Sequence, residues 1–565
     1  RCNLAGEAAN RDVSSGFPLH GQGFAAIVIG GGINGVAIAR ELAFHGTRTL
    51  LVEQNDFASG TTSRATRIIH GGLRYLEHGD LGLVRESLGE RERLLRESPH
   101  LVKPLEFLLV LPKRPHSFLR SSLAIRTGLW LYQHWARVHS KPTPDLRTFE
   151  AQLDAGQKWS IYSYEDAQCE FPERMVAEWL AEALSAGAVV RNHTQALEIT
   201  RSNGRVTGAR LRDSISRQEY SVTAKWVINA TGPWADFLIN ASGIQCDRMI
   251  GGVRGSHLVM PRFAGAPEQP VYAEAADGRQ VFILPWNHQV LVGTTEIADS
   301  ADPAAAEPAP HEIEYLYQSL IRIFPRCSLT SADIHYSFAG VRPLPYAPGK
   351  KYSAVTRRHL LHDHAVDGTA GLISIIGGKL TTAARLARDT GRKLGLRIPE
   401  PTCIFASPVN EEGIEAVVRQ WAHAVASKAS IPQECAQVIA EWHGRHALAI
   451  AQAAAQDERL REPICPHSCH LVAEAVEAVA HESAITLADI LLRRVPVALG
   501  ACWSEPCSRD AAQKIGCALG WDSSRINQEF EAFELEREKF LHPQPKPSHL
   551  QPGCASSARL PAESA

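Results

Sequence analysis

Residues 25–29 read Ala-Ala-Ile-Val-Ile, an apolar and largely β-branched run that predicts a buried strand. The next six residues, Gly30-Gly31-Gly32-Ile33-Asn34-Gly35, interrupt it with four glycines, and apolar residues then recur at helical spacing over 36–45. This pattern predicts strand, tight turn, helix. A second apolar run at 49–52 predicts the next strand, and the α/β alternation sets the fold class.

The remaining pattern predicts helices over 81–97, 176–187, 311–324 and 383–394, and strands over 105–111, 189–199, 206–211, 220–228 and 372–376. Arg85, Glu86, Glu90, Arg91 and Arg93 give the first helix a solvated face, and Pro112 closes the strand that follows. Short strands recur at 257–260, 281–284 and 290–293, and the alanine- and proline-rich stretch 301–310 reads as a surface connection. Residues 118–138 intersperse Leu119, Leu123, Ile125, Leu129, Trp130, Leu131, Tyr132 and Trp135 with Arg120, Arg126 and Arg137. Such a segment either lies in a membrane interface or packs on the core. Beyond Pro401 alanine-rich amphipathic runs at 414–426, 433–455, 472–481 and 486–494 predict a separate helical domain over 401–540. The lead 1–23 and the proline- and serine-rich stretch from Phe540 through the tail 541–565 read as disordered.

At 565 residues the chain has room for two to four domains, and 44% apolar with 21% charged residues fits a soluble globular protein. A net charge of −2 gives no field for nucleic acid or anionic lipid. The 12 cysteines form no Cys-x-x-Cys pair, which fits reduced thiols in a cytoplasmic setting, and no apolar run reaches the length of a membrane span.

The glycine turn carries chemistry. Gly30 permits the turn, Gly32 lets backbone approach a pyrophosphate, Gly35 lets helix and strand pack, and Asn34 lies among them at the positive helix start. Glu53, ending the second strand, stands where an acid meets a ribose hydroxyl pair. Further turns follow at Gly60-Thr61-Thr62-Ser63, at Ala230-Thr231-Gly232 and at Gly377-Gly378-Lys379-Leu380-Thr381-Thr382. The last again joins a strand to a helix start.

Residues 69–77 read Ile-His-Gly-Gly-Leu-Arg-Tyr-Leu-Glu, and with the turns above, Gly255-Ser256-His257 and Val341-Arg342-Pro343-Leu344, the chain resembles the FAD-dependent glycerol-3-phosphate dehydrogenases. The resemblance spans about residues 25–499. It implies a Rossmann-like FAD-binding domain interleaved with an antiparallel β-rich substrate domain (about 78–165 and 245–345), and a C-terminal α-helical cap. It also implies oxidation of sn-glycerol 3-phosphate to dihydroxyacetone phosphate, electrons passing to quinone, and peripheral attachment to the cytoplasmic membrane. FAD contacts are then expected from the four turns, together with Glu53, His70, Gly71 and Gly72.

A phosphate dianion needs forked cations, and Arg74, beside Tyr75, and Arg342, fixed by Pro343, are placed for it, or else serve structural ion pairs. Arg357 matches a family position but adjoins Arg358. His70 and His257 are the alternatives for proton acceptor. Lys379 either polarises the substrate oxygen or stabilises reduced flavin, or is a solvent-facing lysine at an unfavourable helix start. Arg254 stands where the family usually has Lys, and Glu296 where it usually has Asp.

Other readings stay open. These are an oxidase that uses oxygen, a non-catalytic flavin-binding protein, a nicotinamide enzyme, and an iron–sulphur-linked relative using Cys465, Cys469, Cys502 and Cys507. No metal ligand is otherwise assigned, and a homodimer is compatible with such a chain.

Overall fold

The structure, a computed structural model, describes residues 19–73, 80–113, 122–135, 146–350, 352, 355–398 and 414–543. Two sheets organise it. The first has the order Leu360–Asp363, Leu372–Ile376, Glu219–Asn229, Gly23–Ile29, Thr49–Val52, Val189–Arg191, with the hairpin Thr194–Ser202 and Arg205–Asp213 joined to the edge of Glu219–Asn229. Its centre is parallel, Ile27 lying between Leu50 and Val227. Such strands are covered on both faces, so their side chains read as continuous apolar runs. Helices Ile33–Phe44, Pro172–Ser185 and Ala383–Lys393 cover one face through Val36, Leu42, Trp179 and Leu386. The hairpin and Ala235–Ala241 cover the other.

The second sheet runs Ile297–Ala298, Val253–Pro261, Gln289–Gly293, Gln280–Trp286, Val271–Glu274, Val102–Pro112, Trp159–Cys169, Ile68–Ile69, with Tyr336–Arg342 on the far side of Val253–Pro261. It is antiparallel except where Val271–Glu274 runs parallel to Val102–Pro112. Because Ile68–Ile69 sits directly after the glycine- and threonine-rich stretch of the first sheet's domain, the chain carries that stretch to the border between the sheets.

Several predicted elements shift. The expected strand 189–199 breaks at His193, whose φ is +47°. The run 433–455 divides into Gln433–His443 and Ala447–Gln456 because Gly444 has φ +54°. Residues 19–23, expected as a disordered lead, are ordered: Leu19 is buried in a core and Gly21 donates to the Ser221 carbonyl. At the other end Ser523–Leu541 is a helix whose Phe540 and Leu541 are buried, so the tail cannot start at Phe540.

The helical region builds one core of its own around Trp421, Ile439 and Ile450. Its remaining apolar residues, among them Leu491, Phe533 and Phe540, join Tyr336 and Phe338 of the second sheet in one continuous cluster. Buried charge fastens the junction. Arg494 forks onto Asp56 with two bonds of 2.7 Å, Arg493 reaches the same carboxylate at 2.5 Å, and Arg174 forks onto Glu482.

Candidate active site

A cavity of about 1150 Å³ lies between the sheets, with walls from Ile29 at one end of the chain to Phe540 at the other. Its floor is the first turn. Gly30 has φ +110°, and a Cβ there would lie 2.5 Å from the Ala230 carbonyl oxygen; a Cβ on Gly35 would lie 1.8 Å from that of Gly30. Both positions therefore require glycine. Gly32 lines the cavity, and its side-chain-less N-cap leaves the helix start to Thr62, whose Oγ1 accepts from the Ile33 N–H at 3.1 Å. Thr61 donates to the Val341 carbonyl and Ser63 to that of Ala58, tying the stretch to the strand that carries Arg342.

Glu53 accepts from the Gly31 N–H at 2.6 Å and from the Asn55 N–H at 3.0 Å. Burial pushes its pKa up, and these two N–H groups oppose the shift. The last turn meets the first through Asn34, whose Nδ2 donates to the Gly377 carbonyl. The His70 N–H donates to Thr381 Oγ1, and Asn229 Oδ1 accepts from Thr231, so the motif turns converge on one cavity. Gly35, Gly71 and Thr382 sit behind the walls rather than in them.

Arg342 also lines the cavity, its guanidinium donating to Thr294 Oγ1 at 2.8 Å and to the Thr295 carbonyl at 3.2 Å. Arg357 also lines it and pairs with Glu296 at 2.9 Å. Lys379 lines it too, and its Nζ donates to Ser87 Oγ at 2.7 Å. It is half-buried with its nitrogen held by Ser87 rather than solvent-facing, and that burial brings its pKa down to about 7 despite Glu86, Asp166 and Asp80. His257 is buried with Nε2 2.9 Å from Thr66 Oγ1, and its ring stacks on Phe338. Burial, then the charges of Arg342 and Arg67, hold its pKa well below the usual histidine range, so the ring is neutral.

Arg254 is placed differently. It bonds Asp299 at 3.0 Å and the buried Glu312 at 2.8 Å and does not line the cavity, because its strand position points it toward the helix Pro310–Ile323. Arg74 and Tyr75 lie outside the described residues.

Several wall residues lie outside the sequence motifs. Arg64 follows the threonine stretch directly, a signal that was present; its guanidinium lies over the Phe540 ring, and burial with Arg493 nearby lowers its pKa to about 10. Asp166 gave no signal. Its carboxylate accepts from the Gly71 N–H, Tyr132 Oη and Arg91, while burial raises its pKa to about 6. Glu536, Lys539 and Phe540 close the roof from a helix that the apolar pattern did not reveal.

The residues fit FAD. Asn34 Oδ1 and His257 Nδ1 are buried in the cavity region without a hydrogen-bond partner among the described residues, and an uncharged helix start opens on the space. A parallel sheet with a glycine turn and acid on one side, and a cationic antiparallel sheet on the other, define a dinucleotide-dependent oxidoreductase.

Comparison with known proteins narrows the class. A family model described as FAD dependent oxidoreductase matches residues 25–384, and one described as the C-terminal domain of alpha-glycerophosphate oxidase matches 410–526. The chain is 37% identical over 505 residues to the glycerol-3-phosphate dehydrogenase of Synechocystis sp., covering 86% of this chain and 90% of that one. It is 36% identical over 376 residues to the aerobic glycerol-3-phosphate dehydrogenase of Escherichia coli, covering 65% and 72%. In fold it is similar to the glycerol-3-phosphate dehydrogenase from Bacillus halodurans complexed with FAD, with TM-score 0.73 and 24% identity over 94% of this chain and 98% of that one. The chain belongs to the family of FAD-dependent glycerol-3-phosphate dehydrogenases.

Proposed function

We propose that the chain oxidises sn-glycerol 3-phosphate to dihydroxyacetone phosphate and passes the electrons to a quinone at the cytoplasmic membrane surface. The observation that carries this reading is the gathering of Arg342, Arg357 and Lys379 on the cavity that the glycine turn also lines: the consecutive residues Thr294, Thr295 and Glu296 hold the two guanidinium groups, and Lys379 feels the charge of Arg357.

Bound FAD supplies the acceptor for the hydride from C2. The protein's own residues do the rest. Thr294 and Thr295 hold Arg342 from behind, so its planar fork meets the phosphate dianion from a fixed position. Arg357, steadied by Glu296, adds a second guanidinium. The C2 hydroxyl must lose a proton as the hydride leaves. Lys379, at about 7, titrates near working pH and accepts that proton in its neutral form, with Ser87 holding its nitrogen. His257 is too weak a base after burial, and its bond to Thr66 suits it to orient the substrate oxygen.

The test is anaerobic addition of sn-glycerol 3-phosphate to the yellow protein, with glycerol and D-alanine as controls. Bleaching of the flavin by the phosphate ester alone is the expected result, and flavin that stays oxidised removes the assignment. Quinone reduction without peroxide under air supports the proposed acceptor; stoichiometric peroxide identifies oxygen instead.

Membrane contact has support in the helix Ser122–Trp135. Leu129 and Tyr132 are buried on the core, while Arg126 and Trp130 are exposed one turn apart, Trp130 at 65%. An exposed tryptophan beside an arginine suits a headgroup region. No helix among the described residues is long and apolar enough to cross a membrane. Cosedimentation with anionic liposomes, lost in Trp130→Ser, is expected; equal binding by both proteins removes this helix from the contact.

A further inference from the structure

Two loops of the helical region bring thiols and an imidazole together, away from the cavity. Cys465 and His467 lie between the turn Glu458–Arg461 and the helix Val472–His481; Cys502 and Cys507 flank the start of the helix Glu505–Ala518. One sulfur or ring nitrogen from each of Cys465, His467 and Cys502 falls within 4.8 Å of the others. Cys507 Sγ is 3.8 Å from His467 Nδ1 and 3.8 Å from the Cys502 carbonyl oxygen. Cys465 and Cys507 are buried, whereas the His467 side chain is exposed yet turned inward to that sulfur.

We propose that Cys465, His467, Cys502 and Cys507 bind one zinc ion. Tetrahedral zinc with Zn–S of about 2.3 Å and Zn–N of about 2.05 Å places a sulfur and a nitrogen ligand about 3.6 Å apart. The Cys507–His467 separation already approaches that edge. Soft thiolates with one imidazole are a donor set that selects zinc over oxygen-loving cations. Three donors within 4.8 Å of one another, with Cys507 beside His467, fit one ion rather than a two-iron cluster. Cys469 does not join it; its thiol lies against Cys435. Ligation by thiolates exchanges thiol protons for the cation, so binding weakens as pH falls.

The site has a mechanical meaning. The segment ending at Leu499 leads into Cys502, and the Leu499 carbonyl accepts from Gln289 Nε2 at 3.0 Å and Tyr336 Oη at 2.7 Å. Tyr336 begins the strand that holds Phe338 against His257. An ion at the four donors thus pins the loop before Val472–His481 to a segment anchored on the second sheet.

The experiment is elemental analysis of the full-length, FAD-loaded protein and of Cys502→Ser, His467→Ala and Cys469→Ser, none of which touches the cavity. About one zinc per chain is expected in the parent and in Cys469→Ser, and at least a tenfold loss in the other two. Cobalt substituted for zinc should give tetrahedral thiolate bands at wavelengths beyond the flavin's absorption. Three results overturn the proposal: thiols without zinc, a Cys465–Cys502 disulfide in peptide mass spectra, or iron with acid-labile sulfide. His467→Ala, altering an exposed side chain, keeps the test decisive if Cys502→Ser fails to fold.

Discussion

Asn34 and Gly377 are 343 residues apart in sequence, and the Asn34 side-chain amide donates to the Gly377 carbonyl across 3.3 Å. One bond thus joins the first glycine turn to the last. Asn34→Ala removes it, an effect of about 1 kcal/mol or roughly fivefold in affinity. Weaker FAD binding by that factor, measured by fluorescence titration of the apoprotein, is the expected outcome. Unchanged affinity would show that each turn holds its position alone.

Arg342 and Arg254 should separate cleanly, since one lines the cavity and the other bonds two carboxylates outside it. Arg342→Ala should raise KM for sn-glycerol 3-phosphate roughly thirtyfold, from about 2 kcal/mol of lost charge-assisted bonding, with flavin content intact. Arg254→Ala should leave KM alone. It takes the cation from Glu312, which is 1% exposed but keeps its bonds from Ser256, Thr295 and the Ala309 N–H, and should cost about 2 kcal/mol in denaturant unfolding.

Lys379 links activity to pH. Its pKa of about 7 predicts that kcat/KM rises as pH climbs through 7, and that Lys379→Met removes this limb. Stability moves the same way. The folded pKa lies below the ordinary 10.5, so charged Lys379 burdens the fold below 7 and the burden is relieved between about 7 and 10.5. Lys379→Met should therefore be more stable than the parent at pH 6, with the gap closing above 7. A gap that widens with pH would contradict the burial of this amine.

His193 has the opposite sign. Burial lowers its pKa, but Asp489, 3.0 Å away, outweighs burial and raises it to about 9. That stability is fully present below about 6.5 and is lost as pH rises through 9. Thermal melts should show a decline over this window that His193→Gln flattens. Because His193 belongs to the first sheet's domain and Asp489 to the helical region, the decline reports on their junction.

Local chemistry was legible in the sequence. The turn from Gly30 to Gly35 needs only its own neighbours, and the strand 372–376 before Lys379 was bounded correctly. Lys379's altered basicity was not legible, because it depends on burial contributed by distant chain. Asp166 stood in an unrecognised strand, where a carboxylate normally marks solvent; only Gly71, Tyr132 and Arg91 make it an interior acceptor. The helix Ser523–Leu541 escaped notice because its buried positions Ile526, Phe533 and Phe540 recur only every seven residues among charges. That stripe is too narrow to stand out as an amphipathic face.

The cavity begins at Ile29 and is roofed by Phe540, so no amino-terminal fragment contains a finished binding site. During synthesis the glycine turn emerges first and waits for its roof. The cavity wall is consequently completed only after residue 540 has been translated.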